Sequence, residues 1–157
     1  MKLEVHFSGQ SLLPPPQRAW ILKKIRALKL LNEERDLQVS VQFVSDAEMQ
    51  ALNMTWRGKD QSTDVLSFSA QEGEAMPGLE DILGDVVISV ERAQAQALEF
   101  AHELQEEIVV LFVHGLMHLL GHDHELSKTD ADKQAEAESQ LLLQIGLRPE
   151  LALCGRA

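Results

Sequence analysis

One apolar run dominates the sequence. Residues 106–120 read EEIVVLFVHGLMHLL, with ten apolar side chains distributed around almost the whole circumference of a helix. A helix that is apolar on nearly all sides is typically buried at the centre of a domain. The apolar stretch of about 13 residues is too short to cross a bilayer. We therefore expect a buried central helix in a protein that does not span a membrane.

The same helix carries two histidines on one face. His114 and His118 lie four residues apart, so their side chains would stand about 6 Å apart on adjacent turns. This is the spacing by which a helix offers two imidazoles to one zinc ion. Gly121 follows and allows the left-handed turn that ends a helix. The pattern H-x-x-x-H-x-x-G-x-x-H, completed at His124, predicts a three-histidine metal site with an open fourth position, which is typical of catalysis.

The third ligand must come from beyond a turn. If the helix continued, His114 and His122 would lie about 12 Å apart, too far for two ligands of one ion on a straight row. The chain must therefore turn at Gly121 and return either His122 or His124 to the metal. His124 is favoured because two more residues give the chain the length to reverse. A lone histidine on an apolar helix is more often a hydrogen-bonded core residue, but four histidines within eleven residues favour a metal.

Composition indicates an ordinary globular protein. The chain has 157 residues, of which 45% are hydrophobic and 25% are charged. This size and composition predict one domain over residues 1–157. The only cysteine, Cys154, excludes internal disulfides and cysteine-rich zinc ligation. With no apolar leader segment in the sequence, the cysteine usage favours a cytoplasmic location.

The net charge of −11 is unevenly distributed. Residues 1–60 carry a net charge of +2, and residues 61–157 carry −13. The acidic part argues against non-specific binding to polyanions. Residues 18–29 contain five Lys or Arg and no acidic residue, which leaves a nucleic-acid surface open there. A solvated helix face is the simpler interpretation of that stretch.

Local patterns predict an α+β (α/β) fold. Strands are predicted by alternation at residues 2–7 (an edge strand), 37–44, 64–68 and 84–90. Helices are predicted at residues 17–31, 46–53, 91–102 and 106–120, and Ser127 or Thr129 is predicted to cap a final helix that runs to about residue 145. Asp46 is predicted as a helix N-cap, Asp85 as a turn residue and residues 69–83 as a mobile loop. We expect a single domain with a small four-stranded mixed sheet, about five surrounding helices and the zinc site on the buried central helix.

A second group of polar residues precedes the third predicted strand, in a loop predicted at residues 55–63. Arg57 could grip a phosphate with two parallel hydrogen bonds, which lysine cannot do, and Lys59 adds a further positive charge. Thr63, Asp64 and Ser67 could form a tight loop-to-strand junction through side-chain hydrogen bonds to the backbone. Local stabilisation accounts for these last three residues at least as well as a functional role does.

Three stretches together resemble the YbeY family of bacterial metal-dependent endoribonucleases. In chain order they are residues 52–68, with Arg57, Lys59 and the run TDVLSF; residues 84–89, GDVVIS; and residues 114–124, from HG to DH. The resemblance covers nearly the whole chain, and the histidine motif is highly specific. Position 122, usually aromatic in the family, is histidine here.

The resemblance implies a function as well as a fold. It implies one zinc ion per chain bound by His114, His118 and His124, and it matches Arg57 to a family arginine linked to activity. The implied activity is cleavage of single-stranded RNA in maturation of the 3′ end of 16S ribosomal RNA and in ribosome quality control. The implied partners are the small ribosomal subunit and its assembly factors, with neither membrane nor DNA expected.

Two other functions are consistent with the histidine spacing. The same spacing occurs in the metalloproteases that carry H-E-x-x-H-x-x-G-x-x-H, where the glutamate is the general base. Gly115 occupies the position of that glutamate, and general-base help contributes about 10²–10⁴-fold. A zinc hydrolase of another substrate, such as a peptide, is therefore a weaker hypothesis. The third hypothesis is a ribosome-assembly factor whose zinc site is mainly structural.

Overall fold

The described parts of the chain form one mixed sheet with helices on both of its faces. The computed structural model describes residues 2–30, 33–70, 81–121 and 128–153. Within these ranges the strands are β1 (Leu3–Ser8), β2 (Leu37–Val44), β3 (Val65–Ser69) and β4 (Ile82–Ser89). The α-helices of the same ranges are α1 (Pro15–Arg26), α2 (Asp46–Arg57), α3 (Val90–Glu99), α4 (Leu104–Leu119) and α5 (Lys128–Gln144). The predicted α+β fold is confirmed.

The sheet has the strand order β1-β2-β4-β3. The β1–β2 and β2–β4 pairs are parallel, whereas β3 is antiparallel to β4. Parallel neighbours need long crossover connections, and α1 lies within the connection from β1 to β2. The sheet is therefore mixed, as predicted, and it has β1 at one edge and β3 at the other.

Helix α4 forms the centre of the core. It contacts α1, α3, α5, β3 and β4, and twelve of its residues, from Glu107 to Leu119, are buried. A smaller apolar cluster lies on the other face of the sheet, where α2 packs; its buried members are Val44, Met49, Leu66 and Val87. Among the described residues, no helix combines the length and the apolar character that a membrane crossing requires.

Gly115 sets how closely α4 approaches the sheet. A Cβ atom at this position would lie 2.7 Å from Cγ1 of Val86, 3.1 Å from Oγ of Ser67 and 3.3 Å from Cγ2 of Val65. The Ser67 hydroxyl also donates a hydrogen bond of 3.0 Å to the Gly115 carbonyl oxygen. The helix therefore lies against β3 and β4 at a distance that a glycine at this position permits.

The predicted N-cap of the second helix was wrong by one residue. Ser45, not Asp46, is the N-cap, because its side chain accepts a hydrogen bond from the backbone N–H of Glu48 and the Glu48 carboxylate accepts one from the Ser45 N–H. This reciprocal pair is a capping box. Asp46 follows as the first residue of α2, and its carboxylate contacts residues outside this helix.

Asp46 connects three separate parts of the chain. Its carboxylate accepts hydrogen bonds from the hydroxyls of Ser62 and Ser89, and it lies 3.3 Å from a guanidinium nitrogen of Arg92. Burial raises the pKa of Asp46, but the two hydroxyl hydrogen bonds and the Arg92 charge outweigh it and hold the pKa below its usual value. The Asp46 carboxylate therefore connects the loop after α2 to the start of α3 through hydrogen bonds.

Two further predictions differ from the structure in this half of the sheet. Asp85 is not a turn residue but an exposed strand residue, paired with Phe68 across β3 and β4. Residues 69, 82 and 83 of the loop predicted at 69–83 belong to strands, because β3 ends at Ser69 and β4 begins at Ile82. Residues 71–80 lie outside the described residues. Helix α1 ends at Arg26 rather than near residue 31, and the chain beyond it buries Leu28 and Leu30.

Replacing Gly115 with alanine should destabilise the fold, because the added methyl group would overlap Val86. Overpacking of this kind costs typically about 1–3 kcal/mol, and urea denaturation measures it as a lower free energy of unfolding. Val86→Ala in the same chain removes the nearest atom and should recover part of the loss, which a double-mutant cycle would measure. A Gly115→Ala variant as stable as the wild type would contradict the close packing.

Candidate metal centre

The two helix histidines point their Nε2 atoms at one another. His114 is buried, with 7% of its surface exposed, and His118 is half-buried. Their ring centroids lie 4.9 Å apart and their Nε2 atoms 3.3 Å apart. Tetrahedral zinc with Zn–N bonds of about 2.0–2.1 Å sets neighbouring donor atoms about 3.3–3.4 Å apart. The two imidazoles therefore fit adjacent positions around a single ion.

A carboxylate on α5 orients the buried imidazole. Oε1 of Glu138 lies 2.6 Å from Nδ1 of His114, and both side chains are buried. An ionised carboxylate only accepts, so Nδ1 of the neutral imidazole carries the proton and Nε2 keeps its lone pair. Gln134 donates from Nε2 to the same Glu138 oxygen at 3.2 Å. This arrangement is the carboxylate–histidine pair that supports metal ligands in many sites.

Gln134 and Glu138 were not predicted as site residues, although their spacing on the helix indicates a buried face. They lie 20 and 24 residues from His114, in a polar stretch that resembles a solvated helix. However, Gln134, Glu138, Leu141, Leu142 and Ile145 follow the i, i+4, i+7, i+8, i+11 spacing of one helix face, and all five are buried. Two polar residues that continue an apolar stripe indicate an internal polar contact.

The turn after α4 occurs where the glycine predicts it. Helix α4 ends at Leu119, and Gly121 adopts a left-handed conformation with φ of 96°. His122 and His124 lie among residues 122–127, outside the described residues, so His124 as third ligand stays a prediction. Within the described parts of the chain, no group of three or more His, Cys, Asp or Glu side chains is arranged to hold a metal.

Arg57 lies on a helix rather than in the predicted loop. Helix α2 continues to Arg57 and ends at Gly58, which has a φ of 67°. The N–H of Gly58 donates to the carbonyl of Met54 at 3.1 Å, and that of Lys59 to the carbonyl of Asn53 at 3.3 Å. The bond from Gly58, with the positive φ of this glycine, is the αL motif that ends many helices, and the bond from Lys59 adds to it. The helix end, and with it the direction of Arg57, is therefore fixed by its backbone.

The Arg57 side chain reaches the edge strand beside α4. Its Nη2 donates a hydrogen bond of 2.8 Å to the Ser67 carbonyl oxygen. Ser67 in turn donates to the carbonyl of Gly115, the residue after His114. Two contacts thus connect the guanidinium to the helix that carries the histidines. None of the ion pairs among the described residues includes Arg57, which leaves its charge available to a ligand.

The polar residues before β3 stabilise the junction itself. Asp64 is buried and accepts hydrogen bonds from the backbone N–H of Val65 at 2.8 Å and from Gln96 Nε2 at 3.0 Å. Thr63 lies 3.3 Å from the same carboxylate, and Asn53 donates to the Gln61 carbonyl at 2.8 Å. Thr63 and Asp64 therefore have the local structural role that the sequence allowed, whereas Ser67 contacts α4.

The basic stretch at residues 18–29 is largely occupied by contacts within the protein. Arg18 donates to the Leu13 carbonyl at 2.8 Å and Lys24 to the Ile145 carbonyl at 2.7 Å. The Arg26 guanidinium lies 4.9 Å from the centre of the Phe7 ring. These contacts favour the structural interpretation of that helix face over an RNA-binding surface.

Comparison with known proteins agrees with the fold. The family model for Endoribonuclease YbeY matches residues 12–146. A similar curated protein, Endoribonuclease YbeY of Desulfitobacterium hafniense (strain Y51), is 43% identical over 127 residues, covering 78% of this chain and 80% of that protein. Endoribonuclease YbeY of Alkaliphilus metalliredigens (strain QYMF) is 48% identical over 125 residues, with the same coverage of 78% and 80%.

A solved structure is also similar over most of its length. The solution structure of TM1509 from Thermotoga maritima matches with a TM-score of 0.62 and 26% sequence identity, covering 91% of this chain and 88% of that one. The family model extends over most of the chain, and the two relatives exceed 40% identity over more than three quarters of it. The chain therefore belongs to the Endoribonuclease YbeY family.

Proposed function

We propose that this protein is a zinc-dependent endoribonuclease that cleaves single-stranded RNA, with residues 1–157 as one metal-dependent hydrolase domain. The observation that carries the proposal is the convergence of the His114 and His118 Nε2 atoms at 3.3 Å, with Glu138 holding the other nitrogen of His114. Membership of the YbeY family supports RNA as the substrate.

The ligand set of the proposal is His114, His118 and His124, holding one zinc ion per chain. Neutral imidazoles suit zinc, and three protein ligands leave one position open for substrate or water. Zinc held there would supply Lewis acidity towards a phosphate oxygen or an attacking water. Glu138 keeps the His114 proton on Nδ1, so that Nε2 remains a lone-pair donor.

Arg57 is the proposed phosphate-binding residue. Negative charge builds on the phosphoryl oxygens as a phosphodiester is cleaved, and a positioned cation stabilises it. One guanidinium nitrogen of Arg57 is anchored on the Ser67 carbonyl, which restricts the orientation of the planar group. Its other N–H groups can then contact a phosphate with little further loss of side-chain freedom.

Peptide hydrolysis fits the site less well. A metalloprotease of this spacing requires a glutamate at position 115. The Cβ of any side chain there would come within 2.7 Å of Val86. The position faces the sheet, so the fold has no room for that general base.

The cellular role in the proposal follows from the family. The protein would act in the cytoplasm on the 3′ end of 16S ribosomal RNA and in ribosome quality control. Its partners would be the small ribosomal subunit and its assembly factors, without a DNA or membrane partner. Family membership supports this role.

Glu138→Gln should weaken zinc binding. The Glu138 carboxylate orients the His114 ring and makes its Nε2 a more basic ligand, and the substitution removes that charge. Loss of such a supporting carboxylate typically costs about 10–100-fold in metal affinity. Competition with a coloured chelator measures the dissociation constant without reference to activity. Glu136→Gln is the matched control, since Glu136 is exposed on the same helix and should bind zinc as the wild type does. Equal affinity in both variants would contradict the role given to Glu138.

Cleavage of a defined single-stranded RNA tests the activity. His114→Ala should abolish cleavage by removing a ligand, and Arg57→Ala should lower the rate by about 10²–10³-fold, as expected for loss of one charge-stabilising donor. Gel electrophoresis of end-labelled RNA measures both. Metal-loaded protein that cleaves casein but not RNA would refute the proposal. A His114→Ala variant that binds no metal yet folds and matures ribosomes normally would show that the metal is not catalytic.

The product ends of the same reaction identify the nucleophile. A 2′,3′-cyclic phosphate indicates attack by the RNA 2′-OH, and its absence from the earliest products indicates attack by water. In either case Arg57 contacts the phosphate, so its substitution lowers the rate by both routes.

A further inference from the structure

An exposed aromatic side chain lies directly beside the proposed phosphate-binding arginine. Trp56 precedes Arg57 on the last turn of α2, and 67% of its surface is exposed. Its ring meets Phe68 edge-on, with centroids 6.2 Å apart and an angle of 67° between the rings. The Arg57 guanidinium lies 5.7 Å from the centre of the same Phe68 ring. Two aromatic rings and one cation therefore form a continuous surface.

Hydrogen bonds and packing contacts hold this exposed surface in position. The capping bonds at Gly58 fix the end of α2, and the Arg57–Ser67 hydrogen bond joins that end to β3. Phe68 packs against the apolar cluster beneath α2. Single exposed apolar side chains are common on proteins. Trp56 differs because its ring meets that of Phe68, and Phe68 is also contacted by the Arg57 cation, which has no carboxylate partner among the described residues.

Trp56 and Phe68 lie where they could contact the nucleotide next to a phosphate bound by Arg57. Ser67 and Phe68 are consecutive on β3, so their side chains lie on opposite faces of the sheet. Ser67 contacts Gly115 on the α4 side, whereas Phe68 contacts Trp56 on the α2 side. Arg57 bonds to β3 between them. An RNA strand whose phosphate is held by Arg57 can therefore extend over the edge of β3 towards Trp56.

We propose that Trp56 and Phe68 form a stacking subsite for one unpaired base of the RNA. This inference rests on the proposed function, because it requires RNA as the substrate. Unpaired bases stack on aromatic side chains in single-stranded RNA recognition, whereas a paired base is not available for this contact. The subsite thus gives a physical reason for a preference for single strands.

Binding of a fluorescently labelled 2′-O-methyl oligoribonucleotide, measured by anisotropy, tests the subsite. Trp56→Ala should weaken binding roughly five- to a hundredfold, the range for loss of one base stack. Trp56→Phe should bind nearly as the wild type does, because it keeps an aromatic face. Trp56→Leu, which is apolar but not aromatic, should be as weak as Trp56→Ala. Leu98→Ala is the matched control, since Leu98 is 80% exposed on α3 and should have no effect.

The salt dependence of RNA affinity distinguishes a stacking contact from a contact with a phosphate charge. Trp56→Ala should leave the slope of log affinity against log salt unchanged, whereas Arg57→Ala should reduce its magnitude by about 0.7, as for one phosphate contact on a single strand. The same RNA with an abasic nucleotide at the stacked position should bind the wild type and Trp56→Ala equally. Thermal denaturation confirms that these surface variants are folded.

The outcomes distinguish this inference from the function on which it rests. If the wild type does not bind single-stranded RNA, the proposed function fails and the subsite fails with it. If the wild type binds and Trp56→Ala or Trp56→Leu binds equally well, the subsite alone is refuted. The second result would assign the exposed tryptophan to some other contact, such as one with a protein.

Discussion

The burial of α4 is the constraint on which the rest of the structure depends. The helix is surrounded by α1, α3, α5 and the sheet, so each polar group on its inner faces must find a partner within the protein. His114 meets this requirement through its hydrogen bond to Glu138, and Gln134 supplies a donor to the buried carboxylate. The same bond leaves Nε2 directed at His118. One interaction thus both satisfies a buried histidine and orients its Nε2 for the proposed metal centre.

The close contact between α4 and the edge strand has two consequences for chemistry. Gly115 allows the helix to approach Val86 and Ser67, and this closeness excludes the side chain that a metalloprotease would need. It also holds β3 beside the histidines, and β3 carries the carbonyl on which Arg57 is anchored. The packing around a single glycine therefore brings the two histidines and the proposed phosphate-binding arginine onto neighbouring elements.

Much of the fold and the two helix histidines of the candidate site could be predicted from local patterns, whereas Glu138 could not. The central helix, its two histidines and the turn at Gly121 depend on spacings of a few residues, and the structure agrees with each. Glu138 depends on a contact 24 residues away in the sequence, which no local pattern specifies. The prediction of Asp46 as an N-cap was wrong for a similar reason. The partners that occupy the Asp46 carboxylate come from residues 62, 89 and 92, which no local pattern specifies.

The central claim is a metal centre made of three histidines. X-ray absorption spectroscopy at the zinc edge, on protein loaded with one zinc per chain, tests it most directly. The account predicts three imidazole nitrogens at about 2.0–2.1 Å, one further light atom and no sulfur. It also predicts that His124→Ala lowers the imidazole count to two, whereas His122→Ala leaves it at three. A sulfur shell, or loss of an imidazole in His122→Ala but not in His124→Ala, would contradict it.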